Sequence, residues 1–114
     1  MANGTEYELI ITVVNRGFAD LAVDAARAAG ANGGTTLHAR GAGARDAERF
    51  FGVSIQPERE VVLILVPQEI KQRVMSAICE RAGLNTDGHG IAFSLPVDGV
   101  VGLKCAPKGN GDGR

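Results

Sequence analysis

The sequence predicts an α+β domain of the ferredoxin-like kind, a βαββαβ sandwich with an antiparallel sheet and two helices on one face. Three observations predict it. Two short β-branched runs, ELIITVVN at Glu8–Asn15 and VVLILV at Val61–Val66, are too brief for helices and too apolar for loops. A segment of helical period follows each run, and a further strand-like segment follows each helix.

The first strand is broken by Gly17. Phe18, Leu21, Ala22, Ala25, Ala26 and Ala29 then recur at helical spacing, and Gly30 gives a natural stop. Small alanines let this helix lie close against a sheet. Gly33 and Gly34 open the second strand, TTLHAR, which ends at Gly41. From Gly41 to Arg59 the periodicity fades, and a loop of this length in a small domain is usually functional.

Val61–Val66 is apolar on both faces, as a central strand would be, and Pro67 closes it. The second helix is expected over Gln68–Ala82, with Ile70, Val74, Ala77, Ile78 and Arg81 along one side and Gly83 at its end. NTDGHG at Asn85–Gly90 is dense in turn formers. Ile91–Leu95 is the fourth strand, with Val97–Leu103 extending it or pairing beside it. The domain is expected to span 1–106, and the apolar-poor tail 107–114 is expected to be disordered.

A chain of 114 residues suits one domain. Its core must be aliphatic, since there is no Trp and only 4% of residues are aromatic. VVLILV cannot leave either face in water without exposing a large apolar patch, so an oligomer is expected. A formal net charge of −1 disfavours a general nucleic-acid binder, which is usually basic. Cys79 and Cys105 form no C-x-x-C pair and read as reduced thiols. No segment reaches the ~20 apolar residues of a membrane span, and MANGTEYE is no signal peptide. A cytoplasmic location is therefore expected, without excluding docking onto a membrane protein.

Element order alone fits many functions. The details narrow it: TTLHARGAG, the long loop carrying FFG, VVLILVP running straight into a helix, and DGHGIAFSLPVDGVVGL. At these spacings, from about Leu9 to Lys104, they resemble the nitrogen regulatory P-II family. The resemblance implies a homotrimer of ferredoxin-like subunits with adenine nucleotides in clefts between them. It also implies a long flexible loop that blocks or releases a target, often a transporter or an enzyme. No required cofactor, resident metal or catalytic role follows from it.

The resemblance places the effector contacts at Thr35, Gly41, Gly43, Arg45, Gly88, His89, Gly90 and Lys104. Gly41 and Gly43 frame the loop base, where a backbone without Cβ can approach a phosphate and present N–H donors. Thr35 and Thr36 lie where relatives contact base and ribose, although Thr is also simply a good strand former. Asp87–Gly90 resembles the family's phosphate loop, a Gly-Asp-Gly followed by a basic residue. Here His89 replaces the acidic residue and Ile91 the basic one.

In the last strand Gly102 and Lys104 stand where relatives carry two arginines. Lys104 keeps the charge without the planar fork, and Gly102 keeps nothing. These losses weigh against strong triphosphate binding and leave ADP, AMP, ATP, a cyclic nucleotide or a small anion as effectors.

The loop's Arg49, Phe50 and Phe51 are the expected partner contacts. Two aromatics on a charged loop either pack on the body or insert into a partner. Tyr7 is the only tyrosine and precedes the first strand, so uridylylation of a loop tyrosine has no acceptor. Two other readings of the fold remain, an anion- or bicarbonate-sensing trimer and a metal-handling one. An enzyme would need convergent titratable groups, which the sequence scarcely supplies.

Overall fold

The computed structural model describes residues 6–41, 48–50, 53–55, 58–86 and 90–103. Its strands are β1 (Tyr7–Asn15), β2 (Thr35–Arg40), β3 (Glu48–Phe50), β4 (Val53–Ile55), β5 (Glu58–Pro67) and β6 (Gly90–Val97). The helices are α1 (Ala19–Ala28) and α2 (Lys71–Ala82). Four strands form one antiparallel sheet in the order β2-β5-β1-β6. With both helices on one face, this is the ferredoxin-like sandwich that the element order predicts.

The two β-branched runs become the central pair. Ile10 opposes Ile64 and Thr12 opposes Val62 along an unbroken antiparallel register. Side chains alternate across a strand, so Ile10, Thr12, Val14, Val62, Ile64 and Val66 share one face. All six are 0% exposed. They pack with Ala22, Ala25 and Ala26 of α1 and Val74 and Ile78 of α2. The alanine stripe lets α1 approach closely, and α2 contributes the larger residues of the layer.

Helix ends are tied by specific groups. The Arg73 Nε of α2 donates to the Ala29 carbonyl oxygen at 2.9 Å, bringing a cation to the carboxyl end of α1. Lys71 at the start of α2 meets the nearly buried Glu8 at 3.3 Å. Gly83 takes up a left-handed conformation and stops α2.

Several boundaries differ from the sequence expectation. The strand expected at Val61–Val66 begins at Glu58, because polar residues 58–60 continue the ladder with β1 and β2. The stretch read as a loop over 41–59 contains a small hairpin, Glu48–Phe50 against Val53–Ile55. The helix expected from Gln68 starts as a 3-10 turn, Gln68–Ile70, before α2 proper. Beyond Val97, residues 98–103 pair with no strand among the described residues, and the last β1 partner in the register is Tyr7. The expected tail 107–114 lies outside the described residues.

The second face of the sheet carries Leu9, Ile11, Val13, Val61, Leu63 and Leu65, all half-buried. Leu37, Ile91, Phe93 and Leu95 flank them and are 41–57% exposed. Among the described residues, no helix covers this face. The expectation that the central strand is apolar on both sides therefore holds, and the described residues cover only one of them.

Thr12 is the one polar residue in the centre of the covered layer. It is 0% exposed, and its Oγ1 has no hydrogen-bond partner. A buried hydroxyl left unpaired costs about 1–3 kcal/mol. Thr12→Val keeps the shape and removes that cost. It should raise stability by about 1 kcal/mol or more in urea unfolding at unchanged m-value.

Candidate functional site

One end of the sheet gathers the groups with chemistry. The register places Ala39, Arg59 and Asn15 in one row, and His38, Glu60, Val14 and Gly90 in the next. Here the chain leaves β2 through Gly41, returns through Glu58, ends β1 at Asn15 and begins β6 at Gly90.

Arg59 is only 8% exposed. A guanidinium at that depth must be paired. Its Nη1 donates to Asn15 Oδ1, and its Nε donates to the Gly41 carbonyl oxygen at 3.4 Å. Arg59 thus fastens the point where the loop departs to the end of β1.

Glu60 does a related task on the helix side. Helix α1 has no side-chain cap of its own at Phe18. Its free N–H groups are met from another strand instead. Glu60 Oε1 accepts from the backbone N–H of Gly17 and of Ala19, each at 3.0 Å. A carboxylate at a helix amino end is favoured by the dipole as well as by the hydrogen bonds. His38 Nδ1 lies 4.0 Å from the other carboxylate oxygen. Further out, Arg16 and Glu58 form an ion pair at 2.7 Å, with side chains 69% and 55% exposed. Such a pair contributes little to stability. Arg16, His38, Ala39, Arg40, Glu58 and Arg59 together line an open cavity of about 370 Å³.

Of the expected effector residues, Gly41 and Gly90 come to this end of the sheet. Thr35 does not. It starts β2, six residues before Gly41, so roughly 20 Å of extended chain separates them. Thr35 is exposed and lies level with Leu63 and Ile11 on the uncovered face. A single chain therefore does not bring Thr35 to Gly41. Gly43, Arg45, Gly88, His89, Lys104 and Phe51 lie outside the described residues, while Arg49 and Phe50 fall in β3. Arg16, Asn15, Arg59 and Glu60 were not singled out as site residues from sequence. Most of their partners are 41–44 residues away along the chain, beyond any local spacing pattern.

The two glycines differ in what holds them. A Cβ on Gly90 would sit 2.3 Å from the Val13 carbonyl oxygen, and its φ is +147°. Packing alone demands glycine there. At Gly41 a Cβ would meet nothing within 4 Å among the described residues, and its φ is not in the left-handed range. Among the described residues, nothing in the packing requires Gly41 to lack a side chain.

Among the described residues, no group of three His, Cys, Asp or Glu could hold a metal ion, and no helix is long and apolar enough to cross a membrane. Cys79, read from sequence as a reduced thiol, is a half-buried free thiol. The family model described as nitrogen regulatory protein P-II matches residues 7–105. Among curated proteins nothing matches. The crystal structure of Arabidopsis thaliana PII bound to citrate is similar in fold at 22% identity. Its TM-score is 0.69, over 88% of this chain and 85% of that one.

Alanine substitution separates the two glycines. Gly90→Ala should cost about 2–5 kcal/mol from overpacking and strained φ. Gly41→Ala should stay within about 0.5 kcal/mol of the parent. Chemical denaturation of both variants checks the contrast.

Proposed function

Because the chain belongs to the nitrogen regulatory protein P-II family, we propose that it is a cytoplasmic regulator, not a catalyst, and that it binds a small effector between subunits of a homotrimer. The effector is an adenine nucleotide: ADP, AMP, ATP or a cyclic nucleotide. The long loop that starts at Gly41 carries the response to a target protein, either an enzyme or a membrane transporter.

The observation that supports this reading is the uncovered apolar sheet face. Leu9, Ile11, Leu63, Phe93 and Leu95 lie on it, and Val13, Val61 and Ile91 carry it toward the end where the loop departs. A patch this continuous needs another protein surface, and further copies of the chain supply one. Packing copies there also brings the Thr35 end of one subunit toward the Gly41 and Gly90 end of the next. Three copies follow from the family's assembly. Thr35 would then contact the base and ribose. Gly41 and Gly43, with Gly88, His89 and Gly90, would present backbone N–H groups to phosphates, and Arg45 and Lys104 would supply charge. Arg49, Phe50 and Phe51 would meet the target.

The switch is one of differential affinity, since an effector shifts the loop only as far as it prefers one loop state. Arg59 holds the Gly41 carbonyl, so a ligand at Gly41 acts directly on the point where the loop leaves the sheet.

A second reading is an anion sensor of the same fold, responding to bicarbonate without ATP. Ile91 and Gly102 favour it, because they stand where the family pattern has cations.

Thermal unfolding with ATP, ADP, AMP, cyclic AMP and bicarbonate, each with and without magnesium, tests the assignment. A ligand at ~100 times its Kd should stabilise the fold by about 2.7 kcal/mol. The nucleotide reading expects one adenine nucleotide to do so, with the response lost in a His89→Ala, Lys104→Ala double variant. Bicarbonate alone shifting the transition would establish the second reading. A flat panel would refute both.

A further inference from the structure

We propose that His38 and Glu60 form a proton-controlled latch that sets how firmly the loop end of β2 is held to the sheet. Strand β2 lies at the sheet edge, and its backbone pairs with β5 alone. Gly41, where the long loop departs, follows three residues after His38. His38 and Glu60 stand opposite each other in that pairing, with the parity of Val62 and so on the covered side. Among the described residues, His38 is the one β2 side chain within ion-pair distance of an acid, its Nδ1 4.0 Å from a Glu60 carboxylate oxygen.

The pair is open in this geometry. At 4.0 Å a neutral imidazole makes no hydrogen bond with the carboxylate. A protonated imidazole carries a charge and two N–H donors, and it draws the pair closed. Exposed ion pairs are usually weak because two long side chains must be ordered to form them. Here one partner is already fixed. The other Glu60 oxygen accepts from the backbone N–H of Gly17 and of Ala19, each at 3.0 Å. The Glu60 side chain is only 14% exposed, against 80% for His38. Closing the latch therefore orders one short side chain.

The surrounding charges leave this pairing in place. On β2, Arg40 has the parity of His38 and stands opposite Glu58. Arg16, just past the end of β1, pairs with Glu58 at 2.7 Å. On β5, Arg59 is engaged with Asn15 and the Gly41 carbonyl. Helix α1 brings Asp20, exposed in its first turn, and β6 brings no charged residue. Glu58 is thus taken by arginine, and Glu60 is the carboxylate that meets a charged His38. Imidazoles as a class take up their proton at about pH 6.5, so the latch closes on the acid side and opens on the alkaline side. Closing it fastens the loop root to the carboxylate that caps α1. Where the loop answers an effector, proton uptake then favours the loop state in which β2 stays docked. That consequence rests on the proposed function, whereas the latch itself does not.

Amide hydrogen exchange of the full chain without nucleotide tests this, at about pH 5.5 and about pH 8, on either side of the imidazole range. Protection is taken relative to the free-peptide rate at each pH. Residues 37–41 should be about two- to fivefold better protected at the lower pH, with little change in the central strands β1 and β5. His38→Gln should remove the difference and leave the weaker protection at both pH values. His38→Lys, charged at both, should keep the stronger protection at both. Glu60→Gln still offers an oxygen to the N–H groups of Gly17 and Ala19 but no charge, so it should also remove the difference. His38 is exposed, so its variants should fold. Protection independent of pH in the parent, a difference that survives in His38→Gln, His38→Lys behaving as His38→Gln does, or an equal change throughout the sheet would each overturn the proposal. No nucleotide is present, so failure here is distinguishable from failure of the nucleotide reading.

Discussion

A central strand that is apolar on both faces needs two covers, and the described residues of this chain supply one. Val62, Ile64 and Val66 are sealed by the alanine stripe of α1 and by Val74 and Ile78 of α2. Val61, Leu63 and Leu65, on the other side of the same strand, stay half-buried, with no helix over them among the described residues. Apolar burial is worth roughly 25 cal/mol per Å², so the uncovered rows carry a standing drive toward association. The arrangement of the rest follows from that. Helices fill one side, the loop and the glycine-rich turn leave from one end, and the open face is available to another copy.

The polar groups cluster where the sheet runs out of apolar partners. Residues 58–60 continue β5 past its hydrophobic stretch, and each has a separate task. Glu58 pairs with Arg16, Arg59 ties Gly41 to Asn15, and Glu60 caps α1. Three consecutive residues thus couple the loop root, the end of β1 and the start of the first helix. A ligand that disturbs this short segment reaches all three. Coupling of this kind passes through packed and hydrogen-bonded neighbours and needs no long pathway.

The strands β1 and β5 were legible because continuous β-branched runs leave little alternative. Helix α2 was legible from its period and from Gly83. The β3–β4 hairpin was not, since three-residue strands among charges and glycines show no alternation to read. The cap on α1 was hidden for another reason. The segment Arg16-Gly17-Phe18-Ala19 offers no Ser, Thr, Asp or Asn at the cap position, and the residue that serves it lies 41 positions away from Ala19. Arg59 was read as the end of a loop, and only the fold shows it as the buried tie at that loop's root. Gly41 and Gly90 were both read as phosphate contacts by resemblance. Their surroundings separate them, one fixed by a carbonyl oxygen and one that meets no close neighbour among the described residues. Thr35 was placed with Gly41 among the effector contacts by resemblance, yet extended backbone puts them at opposite ends of β2.

That separation makes the shared cleft directly testable by subunit mixing. A Thr35→Arg chain spoils one side of each cleft and a Gly41→Val chain the other, and both positions tolerate a larger side chain within the subunit. Binding of the stabilising nucleotide is measured for each variant alone and after the two are unfolded together and refolded. Clefts built between neighbouring subunits require each variant alone to bind poorly and the mixture to recover about a quarter of the sites by random assortment in a closed ring. A mixture that binds no better than its components would contradict a cleft shared between subunits.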